Sequence, residues 1–209
     1  MTLIDSRRWM AEGTALFLAT AGRLTDEEYA APSGLPGWSR RHVAAHVAAN
    51  ANAIGNLVHW AATGEPTPMY PSRAERDAGI ERGAALPTAE IADWLRRSAD
   101  ALGAAMDALT EDQWRAEVVT GQGATVHATT TPWMRAREVC IHAVDLAAGV
   151  GFADLPEGFN GALCEDLRAQ RGLDVLPIDL DDAPRAQIAA WLTGRPHTLA
   201  GAPELGPWL

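Results

Sequence analysis

The sequence predicts a mainly α-helical protein, a four-helix bundle followed by a small C-terminal α/β subdomain. Three observations predict this architecture. Four segments before residue 150 carry apolar residues at helical spacing, a long connection divides these segments into two pairs, and the composition changes beyond Gly151. We therefore expect two domains, at residues 1–150 and 151–209.

The first two predicted helices are joined by a loop rich in proline and glycine. The first helix is expected from Leu3 to Thr25, and the loop occupies residues 32–37. Ser39 is the expected N-cap of the second helix, because its hydroxyl can accept a hydrogen bond from an otherwise unpaired backbone N–H. Gly64 is expected to end that helix.

The second pair of helices follows a long connection. Residues 64–87 are rich in proline, glycine and charge, and we expect them to form a loop. A third helix is predicted from Thr88, its expected cap, to Leu109. After an irregular segment at residues 115–131, a fourth helix is predicted.

Thr131 and Pro132 are the expected N-cap and first residue of this fourth helix, which should end near Gly149. A weak internal repeat relates the two pairs. Residues 24–29 and 109–114 share a Leu-Thr-acidic pattern at the end of the first and third helices, and each precedes a loop, a tryptophan and a further helix. The repeat places His46 and His142 at comparable depths in a bundle.

The C-terminal part has a different pattern. Helices are predicted at residues 156–171 and 183–192, with a short strand possible at 173–180 between them. Residues 194–209 contain three prolines and are expected to be a loop.

Composition limits the classes of function. Apolar residues make up 47 % and charged residues 21 % of the 209 residues, as in folded globular proteins, and the net charge is −10. That charge argues against nucleic acids and anionic membranes as partners. Two cysteines make no disulfide framework, and neither a signal peptide nor a membrane span is visible, so we expect a cytoplasmic protein.

A candidate metal site is formed by Glu138 and His142 on the fourth helix with His46 on the second. Residues four apart stack on one face of a helix, so Glu138 and His142 can bind one ion together. His46 faces the apolar side of its helix better than His42, which is the reserve candidate. Three protein ligands with one open position are typical of catalytic zinc sites. Asp145 lies on the same face and can orient a ligating histidine.

The spacing alone leaves a second interpretation open. Glu138, His142 and Asp145 can instead form a solvated helix face, with Arg135 paired to Glu138. If a metal binds, two imidazoles favour zinc over magnesium. A zinc anti-sigma module is excluded, because Cys140 and Cys164 lie singly and far apart.

At these residues the sequence resembles the mycothiol-dependent maleylpyruvate isomerases, whose N-terminal domain is a DinB-like four-helix bundle. The similarity covers most of residues 1–150 and the end of the C-terminal part, and it is carried by residues 35–46, 63–70, 73–83, 132–146 and 191–195. The resemblance implies zinc held by His46, Glu138 and His142. It also implies functional arginines at Arg76 and Arg195.

This resemblance implies a cis–trans isomerase that converts maleylpyruvate to fumarylpyruvate in the gentisate route of aromatic degradation, with zinc and mycothiol. A thiolate can add to a double bond, allow the new single bond to rotate, and leave. Cys140 lies about 160° round its helix from the ligand face and Cys164 has no partner, so the thiol is expected to come from outside. Arginines suit a dicarboxylate substrate.

Other functions remain open at the sequence level. A mycothiol S-transferase of the same bundle needs the zinc and the thiol but no pair of carboxylate-binding arginines. A non-catalytic binding bundle needs neither arginine, and Arg76 can simply pair with Glu75 or Asp77 at the surface. The sequence does not decide the oligomeric state.

Overall fold

The protein is mainly α-helical, as predicted. A computed structural model describes residues 1–173, 180 and 183–206. The chain divides into two compact units, residues 2–149 and residues 150–209 together with Met1. Within the part of the chain that the structure describes, no helix is both long enough and apolar enough to cross a membrane.

Four long helices form the bundle of the first unit. They are α1 (Leu3–Ala21), α3 (Arg40–Thr63), α5 (Thr88–Asp107) and α7 (Thr131–Asp145). Helix α1 packs on α7 and α5, and α3 packs on the same two helices, so the order round the bundle is α1, α7, α3, α5. The core between them is filled by fully buried apolar side chains, including Phe17, Val43, Ile54, Leu57, Ile91, Met106 and Ile141.

The prediction that the first helix reaches Thr25 was wrong. The helix ends at Ala21, and Thr25 instead begins a short helix, α2 (Asp26–Ala30). Thr25 accepts from the Glu28 N–H while the Glu28 carboxylate accepts from the Thr25 N–H, a reciprocal cap that starts a new helix. Thr110 and Gln113 make the same cap at α6 (Glu111–Trp114), so the internal repeat marks two helix starts.

Helix α3 has the predicted ends. Ser39 is its N-cap, with a hydroxyl that lies 2.7 Å from Nδ1 of His42. Gly64 ends the helix at a φ of +76°, a left-handed conformation that glycine adopts without steric cost.

The connection at residues 64–87 contains a helix, α4 (Arg73–Ala84), where we predicted a loop. Ser72 caps it by accepting from the Glu75 N–H. The helix packs on α3, with Ile80 buried. At Gly83 an added Cβ would lie 2.7 Å from the Trp94 ring and 2.9 Å from Cβ of Ala45. Close packing on α3 and α5 therefore stabilises α4 despite its weak sequence signal.

The segment at residues 115–131 is more regular than predicted. It contains an antiparallel hairpin of β1 (Glu117–Val119) and β2 (Thr125–His127), in which Val118 pairs with Val126, followed by a 3₁₀ turn at Ala128–Thr130. The N-caps of the following helices differ from prediction by one residue. Pro87 caps α5 and Thr130 caps α7.

Helix α7 ends at Asp145, four residues before the predicted Gly149. Ala147 follows it with a φ of +50°, in the left-handed region. The Arg40 guanidinium donates to the Leu146 carbonyl at 2.6 Å and to the Ala147 carbonyl at 2.8 Å. An arginine of α3 therefore satisfies the carbonyl groups at the end of α7.

The C-terminal unit contains α8 (Phe159–Arg171) and α9 (Arg185–Leu192), which pack on each other, close to the predicted positions. Trp191 is buried, and its indole N–H donates to the Pro203 carbonyl at 2.8 Å, which anchors the loop-like tail. The strand predicted at 173–180 lies largely outside the described residues. The α/β character of this unit therefore stays a prediction.

Candidate metal centre

The structure brings His46, Glu138 and His142 together. Their ligand atoms all lie within 4.8 Å of one another. Nε2 of His46 lies 2.9 Å, and Nε2 of His142 lies 3.3 Å, from the same Oε2 of Glu138. The side chains are nearly buried, so the interpretation of these residues as a solvated helix face was wrong. Two imidazoles and a carboxylate converge at one point, as three ligands of one ion would.

Asp145 orients His142, as expected. Its Oδ2 lies 2.9 Å from Nδ1 of His142, and its side chain is buried. This contact fixes the imidazole so that Nε2 faces Glu138. Burial alone lowers the pKa of His142, but hydrogen bonds to Asp145 and Glu138 outweigh it and raise the pKa to about 9.

The pKa values of the other two residues of the cluster, Glu138 and His46, are both lowered. Burial raises the pKa of Glu138, but the two histidines outweigh burial through charge and hydrogen bonds, so the pKa lies well below its usual value. Burial lowers the pKa of His46, against the opposing effect of Glu138. Glu138 is therefore an ionised carboxylate between two imidazoles.

A buried arginine joins the two helices that carry the cluster. Arg135 is 2 % exposed, and its Nη1 donates to the Val47 carbonyl at 2.7 Å and to Oδ1 of Asn50 at 2.8 Å. These bonds fasten α7 to α3 one turn from Glu138 and beside His46. From the sequence, Arg135 was predicted only as a possible surface partner of Glu138. No pattern in the sequence distinguishes a buried arginine from an exposed one on a helix.

Trp38 covers one side of the cluster. Its ring meets the His46 ring edge-on, at 5.6 Å between centroids, and stacks near His42 at 6.1 Å. The loop before it is held against α7, since the Gly34 N–H donates to the Asp145 carbonyl at 2.7 Å. A Cβ at Gly34 would lie 3.3 Å from that carbonyl oxygen, so a glycine allows this close approach.

His42, the reserve candidate, is not part of the cluster. Its Nδ1 faces the Ser39 hydroxyl, and its Nε2 lies 3.4 Å from the exposed Glu81 carboxylate. It serves the helix cap at the start of α3, which explains why the structure separates it from His46.

Arg76 lies on α4, on the side of the metal centre. Its guanidinium forms an ion pair with Asp77 at 2.9 Å, yet its charge also acts on His46. Arg76 and Tyr70 line a cavity of about 450 Å³ between α3, α4 and α5. Burial and the Glu138 charge raise the pKa of Tyr70, against the effects of Arg76 and Arg135, so these four side chains lie within electrostatic reach of one another.

The family of this chain is shown by comparison with known proteins. The family model of the Mycothiol maleylpyruvate isomerase N-terminal domain matches residues 10–147. The chain belongs to this family. A crystal structure of the mycothiol-dependent maleylpyruvate isomerase and one of its histidine-to-alanine variants are also similar. Each is 32 % identical with a TM-score of 0.90, over 100 % of this chain and 98 % of the other. No curated protein sequence matches the chain.

The resemblance to the mycothiol maleylpyruvate isomerase family implied a second functional arginine, Arg195. It belongs to the C-terminal unit, directly after α9. Its backbone N–H donates to the Ala190 carbonyl at 2.8 Å and its Nη1 to the Thr193 carbonyl at 2.6 Å. These bonds hold the turn that follows the helix.

Both cysteines are unsuited to act as a nucleophile in this member of the family. Cys140 is buried on the α1 side of α7, and burial raises the pKa of its thiol. Burial also raises the pKa of the Cys164 thiol, to about 11. Both side chains therefore stay protonated near neutral pH, and a thiol is a poor nucleophile compared with a thiolate.

Proposed function

We propose that this protein is a zinc- and mycothiol-dependent cis–trans isomerase of the cytoplasm that converts maleylpyruvate to fumarylpyruvate in the gentisate route. One observation carries the proposal. A buried His-Glu-His cluster lies between α3 and α7 of a chain that matches the mycothiol-dependent maleylpyruvate isomerase over its whole length. We also propose that residues 1–150 act as the metal-binding domain and 151–209 as a separate small domain.

The residues present fit a zinc ion. Two imidazole nitrogens and one carboxylate oxygen are a known ligand set of catalytic zinc, and a fourth position is left for a ligand from outside. The ionised state of Glu138 and the orientation of His142 by Asp145 both suit metal binding. Nδ1 of His46 is buried and has no hydrogen-bond partner among the described residues, and the ring packs against Trp38.

The reaction requires rotation about a carbon–carbon double bond, which a nucleophile allows by reversible addition. When bound, zinc would lower the pKa of the mycothiol sulfur and keep it a nucleophilic thiolate. Neither cysteine of the chain supplies that nucleophile. His46, Glu138 and His142 would hold the metal, and Trp38 packs against the His46 ring.

The substrate is a keto-dicarboxylate, which an acidic protein must bind with local cations. We assign Arg76 to one carboxylate, because its charge reaches the metal centre and its side chain lines the adjacent cavity. On the resemblance to the family, we also propose Arg195 as a functional arginine. The ion pair of Arg76 with Asp77 is partly exposed, with side chains 32 % and 56 % accessible, so it costs little to exchange for a substrate carboxylate.

The proposal is tested by metal analysis together with an assay of maleylpyruvate isomerisation, with and without mycothiol. We expect about one zinc per chain and turnover only when mycothiol is present, with the thiol recovered unchanged. Arg76→Ala should lose most of the activity and keep its zinc. Arg73→Ala, at an exposed position on the same helix that does not line the cavity, is a matched control for the loss of one positive charge.

Stoichiometric consumption of mycothiol would contradict the isomerase and favour an S-transferase. Full activity of Arg76→Ala would remove that residue from the substrate site. Absence of turnover with retained metal would favour a binding protein.

A further inference from the structure

A buried arginine lies directly beside the ligands of the candidate metal centre. His46 and Asn50 lie four residues apart on α3, so they share one face of that helix. Glu138 and Arg135 share a face of α7 in the same way. Nε2 of His46 lies 2.9 Å from Oε2 of Glu138. Nη1 of Arg135 lies 2.8 Å from Oδ1 of Asn50, so the two contacts follow one another about one helical turn apart.

The positive charge of Arg135 is not neutralised by a carboxylate. Its side chain accepts almost no solvent, and it donates to the Val47 carbonyl and to the Asn50 amide oxygen, which are both uncharged. It forms no ion pair with any residue that the structure describes. Burial lowers the pKa of Arg135 to about 10, against the opposing effects of Glu138 and Tyr70, so the guanidinium stays charged near neutral pH.

A buried positive charge in this position opposes the binding of a metal cation. Like charges repel more strongly where little water separates them, and a buried charge without a counter-ion is costly to the fold. An apolar side chain of similar volume would fill the same space without either cost. The presence of Arg135 is therefore explained if a negative charge also enters the centre.

The charges of the centre indicate how much negative charge it can accept. With a divalent metal bound and both imidazoles neutral, the carboxylates of Glu138 and Asp145 balance the charge of the metal. Arg135 leaves the buried groups with one positive charge in excess. Arg76 does not belong to this buried set, because it is partly exposed and pairs with Asp77. One anion at the open coordination position would restore the balance.

We propose that Arg135 is a specificity-determining residue that makes the open coordination position of the metal centre select an anionic ligand over a neutral one. It acts through its charge, and its two hydrogen bonds to α3 hold it beside Glu138. This inference rests on the proposed function only for the presence of a metal at the cluster. The thiolate of the proposed reaction is one such anion, and a neighbouring guanidinium favours the ionised form of a thiol.

Three variants separate the charge of Arg135 from its packing. Arg135→Met removes the charge but leaves Oδ1 of Asn50 buried without a donor, so it is combined with Asn50→Ala, which removes that acceptor. Arg135→Lys keeps the charge and changes the hydrogen-bonding geometry. Gly13→Ala crowds Cys140 on the opposite face of α7 and controls for a general loss of stability.

The experiment measures three affinities of each full-length protein. Competitive chelator titration gives the Kd for zinc. The visible absorption of the cobalt-loaded protein gives the Kd for azide, a small anion, and for imidazole, a neutral ligand. We expect the double variant to raise the Kd for azide by about tenfold and to leave that for imidazole unchanged. It should also bind zinc about threefold more tightly, because a repelling charge has been removed.

The controls should behave differently from the double variant. Arg135→Lys and Gly13→Ala should bind azide and imidazole as the wild type does. Equal loss of azide and imidazole binding in the double variant would overturn the proposal, because Arg135 would then only hold α3 and α7 together. Unchanged azide binding, or weaker zinc binding, would also overturn it. If the double variant does not fold, Arg135→Gln decides, since its shorter amide removes the charge and keeps a donor.

Failure of this inference can be distinguished from failure of the proposed function. A wild type that binds no metal would overturn both. Metal binding with azide affinity independent of Arg135 would overturn this inference alone. Azide affinity that depends on Arg135, in a protein that does not isomerise maleylpyruvate, would support this inference and remove the proposed function.

Discussion

Helix α7 presents two faces that are packed in opposite ways. Towards α1 it buries Val139 and Cys140 so closely that Gly13 of α1 leaves no room for a Cβ. Towards α3 it buries Arg135, Glu138 and His142, all of them polar or charged. Apolar packing stabilises a fold directly, whereas a buried polar network at best offsets its desolvation. The polar residues that α7 turns towards α3 are therefore consistent with the proposed metal site, and the apolar residues that it turns towards α1 with the stability of the fold.

The largest effect should come from Glu138→Gln, which removes the charge between the two imidazoles at almost constant volume. We expect zinc affinity to fall at least about a hundredfold, and isomerase activity with it, because an amide is a much weaker metal ligand. Metal analysis and competitive chelator titration measure this. Glu90→Gln, at an exposed site on α5, is the control. Stoichiometric zinc in Glu138→Gln would show that the α3 face is not a metal site.

The second effect concerns the pH dependence of the metal-free protein. The pKa of His142 is about 9 in the folded protein, above the ordinary value of 6.5. Its contribution to stability is therefore complete below pH 6.5 and is lost as the pH rises towards 9, on the order of 2 kcal/mol. The pKa values of His46 and Glu138 are lowered, so neither residue titrates in this window.

Urea unfolding of the metal-stripped protein at pH 6.5 and pH 9 measures this loss. Asp145→Asn should reduce the difference, because the hydrogen bond to Asp145 is a main cause of the raised pKa. Zinc should bind more tightly as the pH rises over the same window, since the metal displaces the His142 proton. A metal-free stability that rises between the two pH values would contradict the hydrogen-bonded cluster.

The third effect lies on the α1 face. Gly13→Ala places a Cβ 2.5 Å from Sγ of Cys140 and 2.8 Å from Cγ2 of Val139, so we expect a loss of about 1 to 2 kcal/mol in the free energy of unfolding. Zinc content should not change. Denaturant unfolding measures the loss, and Cys140→Ala in the same chain should recover part of it.

Gly103→Ala is the control for this comparison. An added Cβ at Gly103 meets nothing, so helix propensity alone should stabilise that variant, by up to about 1 kcal/mol. A loss of zinc in Gly13→Ala would show that the two faces of α7 are coupled.

The smallest effect is expected at Ala147, just beyond the C-terminal end of α7. Ala147 adopts a φ of +50°, which a glycine adopts more readily, so Ala147→Gly should stabilise the protein by about 0.5 to 1 kcal/mol. A thermal unfolding scan measures this as a small rise in Tm. Ala148→Gly should give no such rise. A lower Tm of Ala147→Gly would show that the left-handed conformation of Ala147 costs less than the added freedom of a glycine in the unfolded chain.

The sequence predicted the features that depend on local spacing. The four long helices follow from apolar periodicity, and Ser39 and Gly64 mark the ends of α3 through their own chemistry. Glu138 and His142 were predicted as a pair because four residues make about one helical turn. His46 was predicted as their partner from its position on the apolar side of α3, and the resemblance to the family strengthened that choice.

Other features could not be derived from spacing. Helix α4 has little apolar surface of its own and forms by packing on α3 and α5, where Gly83 allows close contact. Thr25 was predicted to end the first helix, because the helix propensities of residues 22–25 do not exclude such an extension. In the structure, Thr25 instead forms a cap with Glu28 that starts helix α2. Arg135 looks like any surface arginine of a helix until α3 supplies the Val47 carbonyl and Asn50.

The sequence by itself therefore determined the four long helices, the pairing of Glu138 with His142 and the unsuitability of both cysteines as the nucleophile, because these depend on residues a few positions apart or on composition. Only the tertiary structure decided that His46 meets that pair, that Asp145 and Trp38 contact the histidines, and that Tyr70 and Arg76 line a cavity between α3, α4 and α5. The physical reason is that convergence, burial and empty space are properties of several helices packed together, and no single segment encodes them.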